Sequence, residues 1–230
     1  MKDTGKRDLL FGAGLLGAFA VWTALIRRVD VLPVGPDGSS VGFAAFNVWF
    51  HALTGVHMTL YTITDWLGLV PIFICLCFGA LGLGQWIKRK RLLRVDADIL
   101  LLGGYYALVI FGYLFFETVP INYRPILING CLEASYPSST TLLVLSVMPT
   151  LAFQTDRRGS KDRTKGAARA FAAGFSAFMV IGRLMAGVHW ATDIIGAALL
   201  SAGLFLLYRS TVVIADKKSP GRRPGKEQRE

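Results

Sequence analysis

Apolar residues run along this chain in long blocks. They show neither the alternation of a half-buried strand nor the single stripe of a surface helix. Six blocks stand out: Leu9–Ile26, Trp66–Ile87, Ile99–Phe116, Ser138–Phe153, Ala170–Gly187 and Trp190–Ile214. At about 1.5 Å of rise per residue, about 20 apolar residues cross a hydrocarbon core about 30 Å thick. The fourth block is short and contains Pro149, which predicts a kink. The pattern predicts an all-α fold: a six-span transmembrane helix bundle, one domain over residues 1–215, with the bilayer as solvent.

The polar stretches between blocks carry their own signals. Residues 27–40 are rich in proline and glycine and read as loop. Residues 41–65 interleave aromatics, His51 and His57 with small polar residues, which predicts an amphipathic segment lying at the interface, its histidines either functional or interfacial packing groups. Residues 117–137 form a long connection, whereas the last two blocks are separated by only a few residues. The end of the chain, DKKSPGRRPGKEQRE over 216–230, has nothing apolar to bury and reads as a disordered, basic cytoplasmic tail.

Composition agrees with the block pattern. Of 230 residues, 53% are hydrophobic and 17% charged, against about 25% charged in ordinary soluble domains. Mean hydropathy is +0.48. A net charge of +10 raises the question of nucleic acid, but the distribution of the basic residues answers it. All of the 25 lysines and arginines except Arg27, Arg28, Arg124 and Arg183 fall at the two termini or in the second-to-third and fourth-to-fifth connections, which share one side of a six-span protein. The positive-inside rule then places both termini in the cytoplasm and assigns the charge to topology and anionic lipid, not to nucleic acid. The apolar run from Leu9 lacks a small-residue cleavage site and reads as a retained first helix. Cys75, Cys77 and Cys131 imply no disulfide framework and read as small hydrophobes.

The candidate chemistry lies on the opposite, outer side. Arg124 and Arg183 break the charge bias, and an arginine there calls for an ion pair, a lipid head group or a bound anion. His189 follows Arg183 by six residues across a short turn, and Asp193 follows His189 by four. An aspartate at that spacing shares a helix face with the histidine. It can accept a hydrogen bond from one imidazole nitrogen, which leaves the other as nucleophile or base. Pro137-Ser138-Ser139-Thr140-Thr141 opens the fourth block. Alone it reads as an N-cap; with the arginines it becomes an anion site of free N–H groups and hydroxyls at a helix start. Two guanidinium groups, a helix N-terminus and an oriented imidazole together fit the reaction of a phosphate ester.

These residues resemble the type 2 phosphatidic acid phosphatase family of membrane lipid phosphatases. The family signature is Lys, six residues, Arg-Pro; then Pro-Ser-Gly-His; then Ser-Arg, five residues, His, three residues, Asp. Here the third part reads Gly182-Arg183-LMAGV-His189-WAT-Asp193, with glycine for the serine. The first part ends at Arg124-Pro125, with Glu117 at the lysine position. The second reads Pro137-Ser138-Ser139-Thr140, with Thr140 at the histidine position. The resemblance covers about residues 60–212. It implies a phosphohistidine intermediate on His189, oriented by Asp193, with phosphate held by Arg124, Arg183, Ser138 and Ser139. It also implies a membrane lipid phosphate as substrate and no metal ion or cofactor.

The departures set the remaining expectations. In the family the second-motif histidine protonates the leaving group, a contribution of about 10²–10⁴-fold that Thr140 cannot supply. That loss matters least when the leaving group is itself a phosphate, so a diphosphate such as a polyprenyl diphosphate is the expected substrate. Glu117 would pair with Arg124, meet a cationic head group or, with a raised pKa, supply the missing acid. Glu133 and Tyr136 are further acid candidates from the same connection. The alternative reading is a non-catalytic or weakly active relative that binds or moves anionic phospholipids.

Overall fold

A computed structural model describes residues 4–159 and 161–218. Eight α-helices follow one another: α1 Thr4–Ile26, α2 Ala44–Thr54, α3 Met58–Leu67, α4 Leu69–Arg89, α5 Ala97–Thr118, α6 Ser139–Arg157, α7 Asp162–Met185 and α8 Ala191–Lys218. Among the described residues, α1, the continuous stretch of α3 and α4, α5, α7 and α8 are long and apolar enough to cross a membrane. Large side chains such as Phe73, Leu76, Ile87, Phe111 and Ile181 face outward from them. In water such a surface would drive aggregation; in a bilayer it is the ordinary exterior.

The core explains why α6 reads differently from its neighbours. It is 19 residues long and packs against α4, α5, α7 and α8. Its buried face carries Thr141, Ser146, Thr150 and Gln154 among apolar residues. The Tyr106 hydroxyl of α5 lies 2.6 Å from Thr150 Oγ1, and Gln154 donates to the Tyr208 hydroxyl of α8 at 2.6 Å. Polar groups satisfied by neighbouring helices can sit at the centre of a membrane bundle, where lipid never meets them. The fourth apolar block therefore continues past Phe153 to Arg157, with Pro149 inside the helix.

Among the described residues, α1 and α8 pack along each other most extensively. Gly12 lies against the backbone of Gly203, and Asp8 accepts two hydrogen bonds from Arg209 at 2.6 and 2.7 Å. At the same end of the bundle, Arg157 bridges Asp216 of α8 and Asp98 of α5, and Arg158 reaches Asp96 and Asp98. Several basic residues of the connections are thus tied into ion pairs that clamp one end of the bundle.

Two expectations about boundaries are corrected. Residues 41–65 do not form one interfacial segment: Gly55, at φ 70°, separates α2 from α3, and α3 runs on through Gly68 into α4. Only α2 lies apart from the long helices, with Phe46, Trp49 and Leu53 outward and Asn47 buried. Asn47 donates to Gly42 O at 2.8 Å and to Thr192 Oγ1 at 3.0 Å, which fixes α2 to the start of α8. The last helix also continues to Lys218, past the expected tail boundary at 216. The remainder of the expected tail, 219–230, lies outside the described residues.

Candidate active site

The turn between α7 and α8 sets the geometry. Helix α7 ends at Met185, and the chain reverses at Gly187 with φ 69°. A β-carbon there would fall 2.2 Å from the Gly55 carbonyl oxygen, so only glycine fits. His51 Nε2 lies 3.0 Å from the Gly187 carbonyl oxygen, and the His57 amide donates to Ala186 O at 3.1 Å. Both histidines therefore brace this turn from α2 and the α2–α3 link. The turn delivers Arg183 from the last stretch of α7 and His189 from just before α8 into one buried place.

Opposite the turn stands a hairpin-shaped loop, closed by isolated antiparallel bridges, that the sequence reading treated only as a long connection. Arg124 and Glu133 are linked by an amide-to-carbonyl bond of 3.0 Å, as are Ser135 and Asn122 at 2.9 Å. The tip is Asn129-Gly130, with φ 50° and 77°, the pair that a tight two-residue hairpin turn demands. This hairpin places Asn122, Arg124, Glu133 and Ser135 around the imidazole. Asn122 and Ser135 are neighbours of the Asp193–His189 pair that the motif reading missed; the Asn-Gly pair was the signal for them.

His189 is held by the hairpin. Its Nδ1 lies 3.1 Å from the Ser135 carbonyl oxygen and 3.9 Å from Asp193 Oδ2. The expected direct hydrogen bond to Asp193 is thus corrected: a backbone carbonyl takes the Nδ1 proton. Asp193, fully buried, instead accepts from the Trp190 amide at 2.9 Å and from Asn122 Nδ2 at 3.3 Å. It closes the first turn of α8, as a carboxyl group at a helix start should, and remains the nearest carboxyl group behind the ring. Because a carbonyl only accepts, Nδ1 carries the proton and Nε2 presents its lone pair.

Nε2 faces two guanidinium groups: Arg124 Nη1 at 3.4 Å and Arg183 Nη2 at 3.3 Å. Burial, then the charges of Arg124 and Arg183, push the His189 pKa well below the ordinary imidazole range, against a smaller opposing effect from the Ser135 carbonyl. Arg183 is 1% exposed and lies over the Tyr61 ring at 5.0 Å. Its Nε and Nη1 have no hydrogen-bond partner among the described residues; the nearest carboxylate, Asp65, is 3.8 Å from Nη1. Arg124 Nε lies 2.9 Å from Glu133 Oε2 without hydrogen-bond alignment. Buried N–H groups left unpaired beside a neutral imidazole are costly unless an anion takes them.

The other predicted positions are distributed around this centre. Ser138 is fully buried, starts α6 and donates its hydroxyl to Thr141 Oγ1 at 3.1 Å. Its amide donates to the Asp193 carbonyl at 3.3 Å, joining the α6 start to α8. Ser139 and Thr140, half-buried, line a cavity of about 330 Å³ between α4, α5 and α6, together with Asp65, Tyr113 and Leu69. Glu117 is exposed near the end of α5. Tyr136 is buried with its hydroxyl 2.7 Å from Thr23 Oγ1 of α1, which directs it toward α1.

The family model of the PAP2 superfamily matches residues 100–215, half of the chain. That stretch includes Glu117, Arg124, Ser138, Ser139, Arg183, His189 and Asp193. The chain belongs to the PAP2 superfamily. No curated protein sequence matches it. Among solved structures, it is similar to one described as the first transmembrane PAP2-type phosphatidylglycerolphosphate phosphatase, from Bacillus subtilis. The similarity has a TM-score of 0.65 at 18% identity and covers 92% of this chain and 98% of the other. At that identity the likeness speaks for the fold.

Within the PAP2 frame one departure has a steric cause. Gly182 replaces the serine of the third motif, and a β-carbon at Gly182 would lie 2.7 Å from Thr64 Cγ2 of α3. Helix α3 packs so closely on the end of α7 that any side chain there would displace it. The same close approach carries Tyr61 and Asp65 to Arg183, so α3 belongs to the site although no motif marks it.

Proposed function

We propose that this PAP2 protein is a membrane lipid phosphatase that works through a phosphohistidine on His189, with a polyprenyl diphosphate as its favoured substrate. The observation that carries the reading is the convergence of Arg124 and Arg183 on the unprotonated Nε2 of a buried imidazole, with Arg183 N–H groups left unpaired. In this reading the two guanidinium groups hold the phosphate oxygens and Nε2 attacks phosphorus. The Ser135 carbonyl and Asp193 stabilise the charge the ring acquires. Water then attacks the phosphohistidine and releases phosphate. Ser138 and Ser139 at the α6 start add hydrogen-bonding groups to the phosphate pocket. The favoured diphosphate follows from Thr140: a phosphate leaving group needs little protonation, since its second pKa is about 6.

The bias of basic residues supports a cell-membrane protein with both termini in the cytoplasm and the site facing outward. The Bacillus subtilis neighbour acts, by its description, on a phosphatidylglycerolphosphate; this favours a lipid phosphate as the substrate class here too.

Phosphate release from lipid mono- and diphosphates, compared between wild type and His189→Ala, tests the proposal. Turnover should be highest on the diphosphate and absent in the variant. Equal rates in the two proteins would remove the phosphatase reading. Thr140 supports a second reading, a member that binds or moves anionic phospholipids without turnover. Retained lipid binding with no phosphate release from wild type would favour it.

A further inference from the structure

Asp65 ends a run of contacts that the reaction as described so far leaves unused. It lies in the last turn of α3, its carboxylate is 60% exposed, and its Oδ1 stands 3.8 Å from Arg183 Nη1. Arg183 therefore has two different neighbours on one fork: Nη2 faces His189 Nε2 at 3.3 Å and Nη1 faces Asp65. Asp65 also shares a cavity wall with Thr140 and Ser139. The turn after it packs on Thr140, since a β-carbon at Gly68 would lie 2.9 Å from the Asp65 carbonyl oxygen and 3.7 Å from Thr140 Cγ2. A carboxyl group thus lines the same cavity as the position where the motif's histidine is replaced.

We propose that Asp65 is the proton donor to the leaving oxygen, taking the part that Thr140 cannot play, and that it gives the site a phosphomonoester activity beside diphosphate hydrolysis. The inference rests on the phosphohistidine reading above. A phosphate on the Arg183 fork has the imidazole toward one nitrogen and the carboxyl toward the other.

The step balances. The Nε2–P bond forms as the P–O ester bond breaks, the electron pair goes to the ester oxygen, and the Asp65 proton follows it, releasing an alcohol. Asp65, now a carboxylate, takes a proton from the water that attacks phosphorus. The N–P bond breaks, phosphate leaves, and the carboxyl and the lone pair are restored.

Other acids fit less well. Glu133, Tyr136 and Glu117 do not line the cavity shared by Asp65 and Thr140, and the Tyr136 hydroxyl is engaged by Thr23.

The test compares leaving groups. Purified wild type, Asp65→Asn, Asp65→Glu and His189→Ala are assayed on an alkyl monophosphate, a nitrophenyl phosphate and a short isoprenyl diphosphate. Asp65→Asn should lower kcat on the alkyl monophosphate by about 10²-fold or more. Its losses on the other two, whose leaving groups need less protonation, should be at least several-fold smaller. Asp65→Glu should recover part of the monoester rate. Equal losses on all three substrates would mean that Asp65 only positions Arg183, and would overturn the proposal. So would an unaffected monoester rate, or a wild type without monoester activity. Residual turnover by His189→Ala would overturn the phosphohistidine reading itself, independently of the Asp65 pattern.

Discussion

At the scale of single residues, the site depends on one imidazole being kept neutral. Each group near His189 Nε2 disfavours a second proton: the ring is buried and two guanidinium groups face it. An ordinary imidazole titrates near pH 6.5. Here the folded-state pKa is lower, so the unfolded chain binds more protons than the folded one as pH falls below about 6.5. The sign follows: this histidine takes nothing from stability above that range and weakens the fold as pH drops through it. It also keeps the nucleophile unprotonated in mildly acidic medium. The ring resonances of His189, followed by NMR in detergent, should stay flat through the range around pH 6.5 in which an ordinary imidazole titrates. In Arg124→Ala the transition should move toward higher pH, because the second-largest cause of the shift is gone. A wild-type midpoint near 6.5 would refute the neutral-nucleophile geometry.

At the scale of elements, the hairpin over 122–135 carries more of the site than its length implies. It brings Arg124 and the Ser135 carbonyl to opposite sides of one ring and supplies Asn122 to Asp193. Its register depends on Asn129-Gly130, both at positive φ. A β-branched residue at Gly130, φ 77°, should cost about 1–2 kcal/mol locally. Gly130→Val is therefore expected to lower kcat/KM several-fold while leaving the bundle's thermal transition within a few degrees. An equal fall in both would mean that the hairpin is an integral part of the core. The same hairpin shows where the sequence was hard to read. Arg124, Arg183, His189 and Asp193 were legible because a spacing motif marks them, and α1, α5, α7 and α8 because apolar blocks do. Ser135 contributes a main-chain oxygen, which no residue type announces. Asp65 and Tyr61 reach Arg183 only through the packing of α3 on α7, and Asp193 turned from the ring to its own helix start because the Ser135 carbonyl was closer.

At the scale of the whole molecule, the charge distribution and the site lie at opposite ends of the bundle. One end is tied by Arg157, Arg158 and Arg209 to Asp98, Asp96, Asp216 and Asp8, while the other holds the hairpin and the α7–α8 turn. The proposed orientation makes the hairpin end extracytoplasmic, and the chain offers its own reporter. Cys131 sits exposed at the hairpin beside the Asn129-Gly130 tip, whereas Cys75 and Cys77 lie within α4, surrounded by the bilayer. A membrane-impermeant maleimide applied to intact cells should label wild type through Cys131 and fail to label Cys131→Ser. A cysteine placed at Arg91 in that background, in the link before α5 at the other end, should react only after the membrane is opened. The reverse pattern would turn the molecule over, put the phosphate site in the cytoplasm and set the basic connections against the positive-inside rule.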